Sequence, residues 1–114
     1  MATFSKEILS GSTNGRPISV DTTSTPGTLI HTAVDDPAKD EVWLYVVNTS
    51  ASAVKITIEF GGTTSPDDLI VKEIAANSIE QVVPGFPINN ELVVRAFAAT
   101  ADVLNVVGFV NRIS

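Results

Sequence analysis

Residues 42–47 read Val42-Trp43-Leu44-Tyr45-Val46-Val47, an unbroken apolar run. A run this short, rich in β-branched and aromatic side chains, suits a strand better than a helix, and a strand apolar on both faces needs cover on both. This one segment commits the chain to stacked layers of sheet or to a sheet that docks on something else. Residues 54–60 add the complementary signal. Val54, Ile56, Ile58 and Phe60 alternate with Lys55, Thr57 and Glu59, which predicts a half-buried strand with one wet face, paired with the preceding strand in a hairpin.

Further strands are expected over residues 28–33, 69–74, 79–83, 92–98 and 103–112, the last interrupted by Gly108, which marks a bulge or a close backbone approach. Turn chemistry separates them: Asp35-Asp36-Pro37, the loop Gly61-Gly62-Thr63-Thr64-Ser65-Pro66-Asp67, and Pro84-Gly85-Phe86-Pro87, whose two prolines predict a loop. No long window carries a helical apolar period, and no internal repeat is visible. The expected fold is therefore all-β: a single-domain antiparallel β-sandwich, jelly-roll-like, of about seven to eight strands.

Residues 1–28 have a different texture. Eleven of them are Ser or Thr, three are Gly and two are Pro, broken by Ile8-Leu9 and Ile18-Ser19-Val20. They read as an extended N-terminal arm with short edge strands, or as a segment folded back on its own domain, with the sandwich proper over residues 29–114.

With 114 residues the chain is long enough to build a core unaided, and it has no cysteine. The net charge is −6, and the seven basic residues are scattered. A nucleic-acid binder shows a basic stripe, and an anionic membrane asks for the same, so neither partner is expected. Nothing near the start resembles a signal peptide, and no stretch nears the roughly 18 apolar residues of a membrane span. Synthesis in a cytoplasm is expected. Asn48-Thr49-Ser50 matches a glycosylation acceptor, but turn chemistry is the expected role.

The chemistry-bearing inventory is small. His31 is the one histidine and falls inside an expected strand. No Gly-x-Ser-x-Gly elbow accompanies it, so it is expected at a surface or interface rather than in a catalytic triad, and no enzyme is expected. Zinc lacks its ligands. Asp35, Asp36, Asp40 and Glu41, and the pair Asp67-Asp68, could offer oxygens to calcium, but their spacing is not that of a calcium loop, and solvated turns are the expected role. Gly61-Gly62 lacks the following Gly-Lys of a phosphate loop. No metal or cofactor is expected. Trp43, Tyr45 and Phe60 are the candidates for a sugar platform; Trp43 and Tyr45, two apart on one strand, share a face, which suits core packing or a subunit interface equally.

Several segments together resemble a known family. They are Phe4-Ser5-Lys6-Glu7-Ile8-Leu9-Ser10-Gly11-Ser12, Asp40-Glu41-Val42-Trp43-Leu44-Tyr45, Ile58-Glu59-Phe60 with the loop to Asp68, Leu92-Val93-Val94-Arg95-Ala96-Phe97-Ala98-Ala99 and Gly108-Phe109-Val110-Asn111-Arg112-Ile113. The chain resembles the small virion structural proteins of tailed bacteriophages that decorate or cement the head. The resemblance implies a sandwich or jelly-roll subunit, commonly a homotrimer, bound to the major capsid protein on the outer head surface, with no cofactor and no turnover. On this reading Phe4, Ile8, Leu9 and Arg16 make intersubunit contacts, and Trp43, Tyr45, Phe97 and Phe109 serve core or trimer packing. The alternative is a head-fibre or tail-associated module that binds a receptor or glycan.

Overall fold

A computed structural model describes residues 2–114. Nine strands form in chain order: β1 (Phe4–Ile8), β2 (Ile18–Ser19), β3 (Thr28–Thr32), β4 (Lys39–Asn48), β5 (Val54–Phe60), β6 (Leu69–Ile74), β7 (Ser78–Ile88), β8 (Val93–Ala98) and β9 (Leu104–Ile113). There is no helix among the described residues. One sheet runs β1-β9-β4-β7, with β2 also on β9; the other runs β3-β8-β5-β6.

Every pairing is antiparallel, and the pairs nest: β1 and β2 with β9, β3 with β8, β4 with β7, β5 with β6. A long hairpin rolled across two sheets has this order, which is that of a jelly roll. The expectation of an antiparallel sandwich of jelly-roll type holds, with short strands added at the N-terminal end.

The core lies between the sheets. Val42, Leu44 and Val46 of β4 and Leu104, Val106 and Val110 of β9 meet Ile56 and Ile58 of β5, Val94 and Ala96 of β8, and Ile30 of β3. Branched aliphatic side chains on a period of two fill this layer, as a pleated surface demands. None of the seven aromatics belongs to the fully buried set.

Residues 2–28, the described part of this segment, fold back on their own domain. Leu9, Ile18 and Val20 are buried in the core of their own domain, and β1 and β2 line the edge of the first sheet. Leu9 is thus a core residue rather than an intersubunit contact.

Three local expectations are corrected. β4 and β5 do not form a hairpin; the chain crosses between sheets there, and β5 pairs with β6 and β8. The far face of β5 is wet only at Lys55: Thr57 and Glu59 are buried. Residues 25–27 fold over Glu59, which accepts hydrogen bonds from Gly27 N at 2.7 Å and from Thr25 Oγ1. A buried carboxylate held by such donors serves as a fastener for an irregular segment. Finally, Pro84 to Pro87 does not break the chain into a loop. It continues β7, which tolerates proline because it is an edge strand with two register shifts.

Asn48 has the expected turn role. Its Nδ2 donates to Ser52 O and Ile74 O, and its Oδ1 accepts from Ser50 N and Oγ.

Candidate functional site

The outer face of the first sheet carries a set of exposed and half-buried apolar side chains. Facing residues across antiparallel strands share a face, so register alone builds it. Ile8 of β1 faces Phe109 of β9, which faces Trp43 of β4. The next row holds Val107, Tyr45 and Gln81, and the one beyond it Asn105, Val47 and Ile79. On the other side come Lys6, Asn111 and Glu41, then Phe4, Ile113 and Lys39. Phe4 is 71 % exposed, Ile8 55 % and Ile79 60 %, while Trp43, Tyr45, Val47, Val107 and Phe109 are half-buried.

Two glycines seat the centre of this face. Gly108 lies opposite Leu44, and a Cβ there would run into the carbonyl oxygen of Trp43. Of the two readings of Gly108, the close backbone approach is the one present, since β4 and β9 pair without a shift. Gly85 occupies the register shift between Val42 and Trp43 at φ +83°, and a Cβ on it would sit 2.6 Å from the indole ring. Only glycine takes that backbone conformation and leaves that space.

The indole therefore lies down over β7 and beside Phe109, with ring centroids 6.1 Å apart and planes 15° apart. Its Nε1 is buried without a hydrogen-bond partner among the described residues. Lys6 Nζ stands 4.6 Å from the Phe109 ring centre, a cation–π contact on the same patch. Large, pre-packed aromatics with little rotamer freedom left to lose are the usual anchors of protein interfaces.

The sequence-named residues distribute as follows. Phe4, Ile8, Trp43, Tyr45 and Phe109 come together on this face. Phe97 does not: it faces Thr57 on the opposite sheet. Arg16 is exposed in the turn between β1 and β2, where its N–H donates to Thr13 O. None of the four aromatics named for packing is a core residue; they are half-buried on outer faces. Val107 and Ile79 belong to the patch although neither was singled out. The period-two reading of β9 would have placed Val107 beside Phe109, whereas Ile79 needed the β4–β7 register.

A second constellation is polar and buried. Asp40 and Arg112 face each other across β4 and β9. Arg112 donates from Nε to Asp40 Oδ1 at 2.8 Å and from its terminal nitrogen to Oδ2 at 3.1 Å. His31 Nε2 lies 2.8 Å from Oδ2, and Val34 N donates to the same oxygen at 3.0 Å. Burial alone would push the Asp40 carboxyl up, but the bonds from Arg112, His31 and Val34 outweigh it and hold it below the ordinary value. The bond to Asp40 in turn raises Arg112.

His31, expected at a surface or interface, is therefore buried, and Asp40, expected in a solvated acidic turn, is the most deeply held carboxylate of its group. The acidic residues 35–41 do not converge, and no group of metal-holding side chains occurs among the described residues. Among the described residues His31 makes no hydrogen bond to a hydroxyl; its Nδ1 accepts the backbone N–H of Ser10 at 3.0 Å. Both ring nitrogens are taken up by hydrogen bonds within the fold, to Ser10 N and Asp40 Oδ2, so neither is free for general-base work.

Comparison with protein-family models, with curated proteins and with solved structures gives no match to this chain.

Proposed function

We propose that this chain is a virion structural protein of the decoration or cement type, which binds the outer surface of a phage head and stabilises the shell by bridging shell subunits. The observation that carries the proposal is the outer face of the β1-β9-β4-β7 sheet, where Ile8, Phe109 and Trp43, then Val107 and Tyr45, then Val47 and Ile79 occupy three adjacent register rows, with Phe4 beyond the polar row of Lys6, Asn111 and Glu41. Exposed patches of that kind mark interaction surfaces. The charged residues at these register positions are Lys6, Lys39 and Glu41, whereas the whole chain carries −6. Acid is thus concentrated away from the face, which favours docking there and repulsion elsewhere.

The jelly roll supports this reading by analogy alone, since viral shell and lectin domains both use it. Burial of apolar area contributes roughly 25 cal/mol per Å². Many copies on a lattice then convert a modest single-site affinity into a firm attachment. The same face, closed by copies of the chain, would serve a homotrimer.

The test is thermal. Heads assembled without this protein are heated with and without the purified chain, and genome release is followed. Added chain is expected to raise the release temperature. An unchanged temperature at saturating chain contradicts the cement role.

A second reading, a glycan-binding module, is favoured by Trp43 and Tyr45 on one face. It expects saturable change in the fluorescence of Trp43, the one tryptophan, on titration with sugars, with no binding to heads.

A further inference from the structure

The N-terminal segment is fastened to β3 through the side chain of His31. Ser10 N donates to His31 Nδ1 at 3.0 Å, Thr32 N donates to Ser10 Oγ at 2.6 Å, and Gly11 N donates to Ile30 O at 2.9 Å. A Cβ at Gly11 would lie 2.5 Å from Leu29 O, so the segment runs flat against the strand. β3 ends one sheet and β1 ends the other. Residues 9–11 therefore close the open side of the sandwich between the two edges, with Leu9 beneath them in the core.

The donors decide where the histidine's hydrogen is. Asp40 already receives Arg112 and Val34, so it accepts from Nε2 as well. Nε2 carries the hydrogen, and Nδ1 offers its lone pair to Ser10 N–H. A second proton can enter only at Nδ1, where it would face the Ser10 N–H donor.

Charge around the ring comes from few groups. Asp40 of β4 is the direct neighbour, its charge already matched by Arg112 of β9, and Glu7 of β1 acts on Arg112. On β8, the strand that pairs with β3, His31 faces Val94. An added imidazolium would thus be a second cation beside one carboxylate, in a site 1 % exposed.

We infer that Ser10 and His31 form an acid-released latch: uptake of a proton at His31 Nδ1 expels Ser10 and frees residues 9–11 from β3, while the two sheets stay together. The inference does not depend on what the apolar face binds.

Amide exchange read by NMR across a descending pH series tests it, corrected for the intrinsic pH dependence of exchange. Ring nitrogen shifts of His31 are followed in the same samples. Protection of the Ser10 amide is expected to fall about tenfold per pH unit as opening takes up one proton, while the Val46 amide in the centre of β4 stays protected. In His31→Gln, which cannot take the proton, the Ser10 slope should vanish. Three results would overturn the latch: flat Ser10 protection while the ring titrates, joint loss at Ser10 and Val46, or a neutral ring carrying its hydrogen on Nδ1. Should His31→Gln fail to fold, the wild-type comparison of Ser10 with Val46 and the ring shifts decide alone.

Discussion

Arg112 grips Asp40 with two hydrogen bonds, 2.8 and 3.1 Å, across neighbouring strands at the end of the β4–β9 pairing. Asp40 is fully buried, and it also anchors His31 and Val34 N. Removing either member leaves a buried group without its partner, and breaking a buried pair this way costs about 3–5 kcal/mol. Asp40→Ala and Arg112→Leu are each expected to lower stability by amounts in that range, measured by urea denaturation. The double variant should cost less than the sum of the two, because the two losses share one interaction.

Acid acts on the same carboxylate. The native value of Asp40 lies below its ordinary 3.8, so the folded state binds fewer protons than the unfolded chain in the window between them. The stabilisation is complete above the ordinary value and is lost as pH falls through the lower native one. Urea midpoints of the wild type should therefore drop across that acidic window. In Asp40→Asn, already less stable at neutral pH, the drop should be smaller.

Gly108→Ala places a methyl group against the carbonyl oxygen of Trp43. The obstacle is backbone in a paired strand, so it cannot turn aside as a side chain would. A loss of at least about 2 kcal/mol is expected, together with a shift in Trp43 fluorescence as β4 and β9 separate. Gly15→Ala is a contrast: its Cβ meets only the tip of Ile8, at 4.0 Å, and its φ of +86° makes the cost one of backbone strain, about 1 kcal/mol.

Strands were legible in the sequence where alternation or apolar runs are strong. β5 and β6 occupy the expected residues, and β4, β8 and β9 differ at their ends only. What was not legible depends on distant partners. Glu59 reads as solvent-facing in its own strand, and only residues 25–27 folding over it make it a buried acceptor. Pro84 and Pro87 read as breakers, because nothing local says that β7 is an edge. His31 and Asp40 lie nine positions apart in a stretch that resembles a polar turn, and Arg112, the group that makes their burial tolerable, is 72 positions beyond Asp40. The apolar patch was half visible: Trp43 with Tyr45 by alternation, but its junction with Ile8 and Ile79 only by register.

The outer face around Trp43 and Phe109 is the one we propose to dock on a shell surface. Ile8 and Ile79 are exposed on it, so Ile8→Asp with Ile79→Asp should leave urea stability within about 1 kcal/mol of wild type while placing two charges in the interface. The direct measurement is binding of the wild type and of this double variant to heads assembled without the protein. Saturable wild-type binding, weakened at least about tenfold in the variant, which is a loss of about 1.4 kcal/mol, is the predicted result. Equal binding by the two proteins would contradict docking through this face.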